Sequence, residues 1–200
     1  MSRHLKVGIY GGTFDPPHNA HLSLARFAVH ELALDYLYIV PAKGHALKKN
    51  DTITPAGIRF EMVEAAFRNE RKIRISRIEL DGPDTSYTVE TIDRFQQYEQ
   101  LRDPEYYYLI GADNLQEMHL WKEPERIFRV ARVVVLRRPG YQKTPGSFKF
   151  GDHVRFLDSP HVDISSTGIR KRVRQGKSVG DLVPAEVAVL IKKYQLYRAD

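Results

Sequence analysis

The chain has 200 residues, 42% of them hydrophobic and none of them cysteine, with 31 Lys and Arg against 25 Asp and Glu for a formal net charge of +6. Lack of cysteine excludes disulfides, thiolate metal centres and zinc fingers, and suits a reducing cytoplasm. No window approaches a membrane span and the N-terminal apolar run is too short for a secretory signal, while the basic excess favours anionic small molecules without requiring nucleic acid.

Along the chain, short β-type runs recur: KVGIY from Lys6, YLYIV from Tyr36, KIRIS from Lys72, YYYLI from Tyr106, RVVVL from Arg132 and VRFLD from Val154. Helical patterns fall between them. Residues 21–34 place Leu22, Leu24, Ala25, Ala28, Val29 and Leu32 at the spacing of one buried face. A second helix is predicted over 55–67, with Thr54 as cap and Pro55 in the first turn, and a third from 86 or 87 towards 101. Beyond the Gly-, Pro- and Lys-rich loop at 138–151, two more are predicted at 166–174 and 184–194. Strands alternating with helices imply a doubly wound, Rossmann-like α/β fold: a mostly parallel sheet, helices on both faces and a small helical C-terminal portion. The expectation is one domain over 1–200, with a sheet-based core at 1–158 and C-terminal helices at 159–200. The polar loop at 41–54 is a second long connection, and long loops in compact domains often carry function.

The first strand runs into GIYGGTFDPPHNAHL, from Gly8 to Leu22. In an open parallel sheet, ligands bind beyond the carboxyl ends of the strands, which is where this turn lies. Gly11 and Gly12 permit close approach of a ligand to the backbone, Thr13 adds a hydroxyl and an amide, and a helix starting near Asn19 aims free amides at the same space. The stretch fits neither a P-loop nor Gly-x-Gly-x-x-Gly. His18 and His21, three residues apart, can reach one ligand from one helix face and donate to phosphate oxygens. In DISSTGIRKRV, Ser165, Ser166 and Thr167 can cap a helix beside the fixed cation Arg170. Asp113 follows the strand end at Gly111 and so lies at the same edge of the sheet.

GGTFDPPHNAH resembles the nucleotidyltransferase signature of the bacterial nicotinate-mononucleotide adenylyltransferases, Gly-Gly-Thr-Phe-Asp-Pro-x-His-x-Gly-His, with Ala20 in place of the second-last Gly. Three further segments are similar to that family in the same order: DTSYTVETI, GADNLQEMHLW and ISSTGIR. The resemblance implies that Gly11, Gly12, Thr13, Phe14, His18, His21, Gly111, Asp113, Ser166, Thr167 and Arg170 bind ATP. It implies that Ser86, Tyr87, Thr88 and Trp121 receive the pyridine mononucleotide, with the indole stacking on the pyridine ring. His18, His21, Lys48 and Arg170 are the expected catalytic residues. Where the family often has Pro-Pro-His-Lys, this chain reads HALK, so Lys48 matches and Leu47 replaces the His; either Lys43, His45 or Lys49 supplies an equivalent contact or that contact is dispensable here.

The implied reaction joins nicotinate mononucleotide to ATP, giving nicotinate adenine dinucleotide and pyrophosphate, with Mg²⁺ carried on the ATP phosphates and no metal ligand assigned to the protein. Nicotinamide mononucleotide and phosphopantetheine are the rival acceptors. A catalytically idle nucleotide- or RNA-binding module is the reading from another class, disfavoured because no aromatic platform is interleaved with a basic stripe. The expected partners are thus small molecules, with no nucleic acid and no membrane, in the cytoplasm, and assembly into a homo-oligomer is permitted.

Overall fold

The structure is a computed structural model that describes residues 4–44, 53–83, 85–98, 101, 104–137, 149–160 and 162–199. Six parallel strands, β1 (Lys6–Gly12), β2 (Tyr36–Pro41), β3 (Ile73–Ile75), β4 (Glu105–Gly111), β5 (Arg132–Arg137) and β6 (Arg155–Asp158), form one sheet in the order β3-β2-β1-β4-β5-β6. The chain therefore builds outward from β1 to one edge, returns beside it as β4 and builds to the other edge. That reversal opens a crevice beyond the carboxyl ends of β1 and β4.

Both faces of the sheet are covered, because alternate residues of each strand point to opposite sides. On one side Leu37, Ile39, Tyr107, Leu109, Val134 and Leu136 meet α1 (Asn19–Glu31), α2 (Ala56–Phe67) and α7 (Ala185–Lys193) through Ala25, Ala28, Met62, Val63, Val187 and Leu190. On the other, Val7, Ile9, Tyr38, Tyr106, Tyr108 and Val135 meet α3 (Thr88–Tyr98), α4 (Ala112–Glu117) and α5 (Pro124–Val130) through Val89, Ile92, Phe95, Leu115 and Ile127. A last helix, α6 (Ser166–Arg174), inserts Ile169 into the first of these layers.

The predicted strands all form, the helix predicted at 166–174 forms with those ends, and the other predicted helices form with shifted ends. Thr54 does not cap α2: the cap position falls on Pro55, whose side chain offers no acceptor. The backbone of Thr54 is used instead, its N–H donating to Asp15 Oδ2 (3.2 Å) and its carbonyl accepting from Arg59 Nε (2.9 Å). α3 begins at Thr88, after the Ser-Tyr pair, and stops at Tyr98. α4 and α5 carry no signal in the sequence, because six and seven residues are too few to show a helical period. Pro124 opens α5 directly after Glu123, which sits in the left-handed region at φ 49°.

Two buried polar groups organise the loops at the carboxyl edge. Arg59, 1% exposed, projects from the first turns of α2 and donates to the carbonyls of Thr54 (2.9 Å), Thr13 (2.8 Å) and Lys43 (3.0 Å). Burial lowers its pKa, and the nearby Asp15 carboxylate opposes that shift. Glu79, also buried, accepts from the Thr91 hydroxyl at 2.8 Å and so ties the connection after β3 to α3. Arg94 of α3 donates to Ile78 O (2.9 Å) beside it, and Lys43 donates to Gly82 O (2.8 Å).

Arg59→Met should strand the buried Thr54 carbonyl, two half-buried carbonyls and the Asp15 charge together, at a cost of about 3–5 kcal/mol. Thermal unfolding of that variant should show a Tm lowered by roughly 10 °C, and a shift under about 2 °C would contradict the assignment. Burial raises the Glu79 carboxyl above the ordinary glutamate range, while the Thr91 hydroxyl and the Arg94 charge pull it down. Between the ordinary value near about 4.3 and the raised one, the folded state holds more proton than the unfolded state, so stability falls as pH rises through that window. Glu79→Gln keeps an acceptor for Thr91 and has no proton to lose. Its stability relative to the wild type should therefore increase between about pH 4 and about pH 8, as denaturant midpoints at the two pH values would show; a constant difference would refute this.

Candidate active site

The site grows from the loop between β1 and α1. Gly11 and Gly12 are the last residues of β1, paired with Val40 and Pro41 of β2. A Cβ on Gly11 would lie 3.1 Å from the Tyr108 hydroxyl, and one on Gly12 would lie 3.0 Å from the Phe14 ring, so both positions admit little beyond hydrogen. Phe14 follows in the left-handed region at φ 50°, and the Asp15–Pro16 peptide is cis. The turn delivers His18 as the cap residue of α1, 4% exposed, with His21 one turn along on the same face.

The two imidazoles stack, with centroids 3.7 Å apart and planes tilted by 21°. Phe14 meets the His21 ring edge-on at 4.9 Å. The backbone N–H of His18 donates to His21 Nδ1 at 3.2 Å. Because Nδ1 accepts, the neutral ring carries its proton on Nε2, and His21 can donate from Nε2 without first becoming a cation. The expected supply of free amides at the start of α1 is smaller than the sequence implies. The His18 amide is used by His21 and the Asn19 amide donates to Leu182 O at 2.9 Å, because the turn before α7 packs against this end of α1.

Both histidines open onto a cavity of about 270 Å³ bounded by Tyr10 and Leu24 on one side, Gly111 and Ala112 at the end of β4, and Ser159, Pro160, Ser165 and Ser166 beyond β6. Ser165 Oγ accepts from the Gly168 amide (3.1 Å) as the cap of α6. Ser166 Oγ donates to Pro16 O at 2.9 Å, and Arg170 Nη1 donates to Asp15 O at 2.8 Å with Nη2 on Thr167 Oγ1 at 3.3 Å. In this structure α6 thus braces the 13–18 loop as well as bordering the cavity.

A second cavity, of about 230 Å³, is bordered by Gly11, Gly12 and Thr13. Its walls carry Ser86, Tyr87 and Thr88 at the start of α3, with Tyr108, Trp121 and Lys122 opposite and the buried Glu79 among them. Trp121 stands edge-to-face with Tyr108, centroids 6.3 Å apart. The Tyr108 hydroxyl lies 3.2 Å from Thr88 Oγ1, and burial holds its phenol well above the usual range. Ser86 Oγ is buried and has no hydrogen-bond partner among the described residues. At the rim, Lys122 Nζ is 2.5 Å from Glu90 Oε1 and 4.9 Å from the Tyr87 ring centre.

The structure brings the predicted residues into two neighbouring groups joined by the 11–18 loop. His18, His21, Gly111 and Ser166 border one cavity, and Gly11, Gly12, Thr13, Ser86, Tyr87, Thr88 and Trp121 the other. Phe14 packs behind the histidines, Arg170 faces the loop and Thr167 accepts from Arg170. Asp113 is the second residue of α4, at the carboxyl edge as expected from its place after β4. Lys48, with His45, Leu47 and Lys49, lies outside the described residues, as do residues 138–148 of the long loop. Sequence reading missed Tyr10, Glu79, Tyr108, Lys122, Ser159 and Pro160; the last two had a usable signal, since they directly follow the carboxyl end of a strand. No group of three or more His, Cys, Asp or Glu placed to hold a metal occurs among the described residues, and no helix there is long and apolar enough to cross a membrane.

The Cytidylyltransferase-like family description matches residues 9–172. A protein of Clostridium tetani named "Probable nicotinate-nucleotide adenylyltransferase" is 40% identical, with 96% of this chain and 99% of that protein covered. A protein of Clostridium kluyveri with the same name is 37% identical over 97% of this chain and all of that one. Among solved structures, the Plasmodium falciparum nicotinic acid mononucleotide adenylyltransferase complexed with NaAD superimposes with a TM-score of 0.78 at 17% identity, covering 97% of this chain and 98% of that one. The same enzyme complexed with APC gives 0.77 at 18% identity, again covering 97% and 98%. A parallel sheet that reverses beside β1, stacked histidines on the loop at that reversal and near full-length similarity to these proteins together identify the chain as a member of the cytidylyltransferase-like family, among the nicotinate-nucleotide adenylyltransferases.

Proposed function

We propose that this chain transfers the adenylyl group of ATP to nicotinate mononucleotide, with the cavity at His18 and His21 taking ATP and the cavity at Trp121 taking the pyridine mononucleotide. The observation that carries the reading is the pair of cavities bordered by one loop, one at its glycine end (Gly11–Thr13) and one at its histidine end (His18 and His21), since a dinucleotide product needs two nucleotide sites that meet at one phosphate-binding loop. A mononucleotide phosphate is already an anion, so its attack on the α-phosphorus needs no strong base. One P–O bond forms to the mononucleotide, the bond to the β-phosphate oxygen breaks, and pyrophosphate leaves. Rate then comes from alignment of the reacting groups and from donors aimed at the charge that builds on the phosphoryl oxygens.

His21 suits that work because its Nδ1 is already an acceptor, which makes Nε2 a fixed donor in the neutral ring. His18, stacked against it, presents a second ring to the same cavity. Nucleotidyltransferases acting on ATP generally use Mg²⁺, and with no three-residue acidic or imidazole cluster among the described residues the ion fits best on the triphosphate itself. Bound there, it would neutralise charge on the leaving pyrophosphate. Lys48 and Arg170 are proposed as the cations for the phosphates, Arg170 from a helix whose first turn contacts the loop.

At the other cavity, Ser86 Oγ supplies a buried hydroxyl that lacks a partner, beside the first amides of α3. A carboxylate on the pyridine ring would satisfy both, whereas the neutral amide of the nicotinamide analogue would bring its own donors against them. Trp121 offers its indole to the cationic ring.

Pyrophosphate release from ATP and Mg²⁺ with the two mononucleotides in parallel should favour the acid by roughly tenfold or more. Equal rates would remove the role of Ser86, and absence of release with both would overturn the reading of the reaction. His21→Ala should lower turnover by about a hundredfold, with no change in the folded fraction by circular dichroism, because the ring is only half-buried. Wild-type turnover in that variant would reject His21 as a phosphate ligand.

A further inference from the structure

The segment after α7 returns across the molecule to the loop that separates the two cavities. It is fastened first to α2: Tyr194 donates its hydroxyl to Glu61 Oε2 at 2.7 Å, and Lys193 Nζ lies 3.4 Å from Glu61 Oε1. Leu196 N donates back to Ile191 O at 3.0 Å. Gln195 and Tyr197 both adopt left-handed backbone, at φ 50° and 62°, a conformation that non-glycine residues rarely hold without compensation. The compensation is visible at the end of the turn, where the Tyr197 hydroxyl donates to Asp15 Oδ1 at 2.6 Å.

Asp15 is 4% exposed and lies within the Gly-Gly-Thr-Phe-Asp-Pro turn, three residues before His18. Its other oxygen accepts from the Thr54 amide, and its carbonyl accepts from Arg170. Arg59 approaches from the same side as Tyr197 and holds the Thr13 carbonyl. The Asp15 carboxylate is thus held by the Tyr197 phenol of the strap after α7 and by the Thr54 amide of the loop before α2, while Arg170 of α6 holds the residue's own carbonyl and the Arg59 charge acts on it electrostatically. We propose that Tyr197 is a positioning residue for adenylyl transfer, fixing Asp15 so that the 12–18 loop presents His18 to the triphosphate in one geometry. Burial and the Asp15 carboxylate push the Tyr197 phenol well above its usual range, so it is a donor at any working pH. Phenylalanine would fill the same volume and lose the donor only.

The inference rests on the reaction proposed above, so the wild-type pyrophosphate assay is run first. With wild-type turnover in hand, Tyr197→Phe should lose about tenfold in kcat with KM for the mononucleotide unchanged, at a temperature where Tm measurements show it fully folded. Asp15→Asn, which keeps the phenol and weakens the same bond, should lose a similar factor. The double variant should be no worse than the weaker single variant, because both act through one contact. A loss of Tm with kcat unchanged would mean that the strap only stabilises the fold, and additive losses would mean that Tyr197 does not act through Asp15; either overturns the proposal. If the wild-type enzyme shows no turnover, amide hydrogen exchange at Gly12, Thr13 and Asp15 decides the point separately. Faster exchange in Tyr197→Phe supports the positioning role and unchanged exchange removes it.

Discussion

A buried guanidinium within electrostatic reach of a buried carboxylate is the constraint on which this molecule's working end depends. Neither Arg59 nor Asp15 could remain in the interior alone, since an unpaired charge there costs several kcal/mol on the order given by desolvation. Arg59 avoids that cost by spending its donors on three backbone carbonyls from two loops, Thr13 between β1 and α1 and Lys43 and Thr54 between β2 and α2. Asp15 avoids it by accepting from a phenol and an amide. The result is a polar hub beneath the β1–α1 turn, in a region where an apolar contact could not fix direction as well as distance. Hydrogen bonds to carbonyls specify where each loop backbone runs, which a hydrophobic residue of similar volume would not.

That hub sits below the reversal of strand order, and the location explains why one loop serves two cavities. Between β1 and β4 the crossovers diverge to opposite faces of the sheet, leaving the strand ends uncovered. Gly11 and Gly12 suit the close quarters at that point, because a Cβ there would press on the Tyr108 hydroxyl or the Phe14 ring at 3.0–3.1 Å. The loop then divides the crevice. Its histidine end faces the cavity bordered by α6, and its glycine end faces the cavity bordered by α3. A nucleophile and an electrophile bound on the two sides would meet over the loop, which is the arrangement that transfer between two nucleotides requires.

α6 deserves its place in the same account for what it does to the loop rather than for its charge alone. Ser166 and Arg170 both donate to carbonyls of the Asp15–Pro16 turn, so the helix that would contact the triphosphate also sets the loop beneath it. A cation braced in this way is preorganised, and its position does not have to be recovered during the reaction. The His21 tautomer follows similar logic. A backbone amide of the same turn, and not a distant side chain, settles which ring nitrogen faces the cavity.

Much of this was legible in the linear chain. The six β-runs alternate with helical periods strongly enough to imply a parallel sheet, since local propensity and burial pattern agree in each. The paired histidines, the Ser-Tyr-Thr segment and the Ser-Ser-Thr cap announce themselves because each is short and its residues act on their own neighbours. Thr54 was misread for the same reason: the cap rule is local, whereas its backbone is claimed by Asp15, 39 residues away. α4 and α5 were invisible because they are held by packing on β4 and β5 and not by their own few residues. The sequence by itself determined the order of the elements and the chemical types at the strand ends, because those follow from interactions within a few residues. Only the tertiary structure decided that Arg59 and Asp15 are buried together and that Tyr197 closes on Asp15 from 182 residues away, because burial of a charge is favourable only after distant segments have assembled its partners.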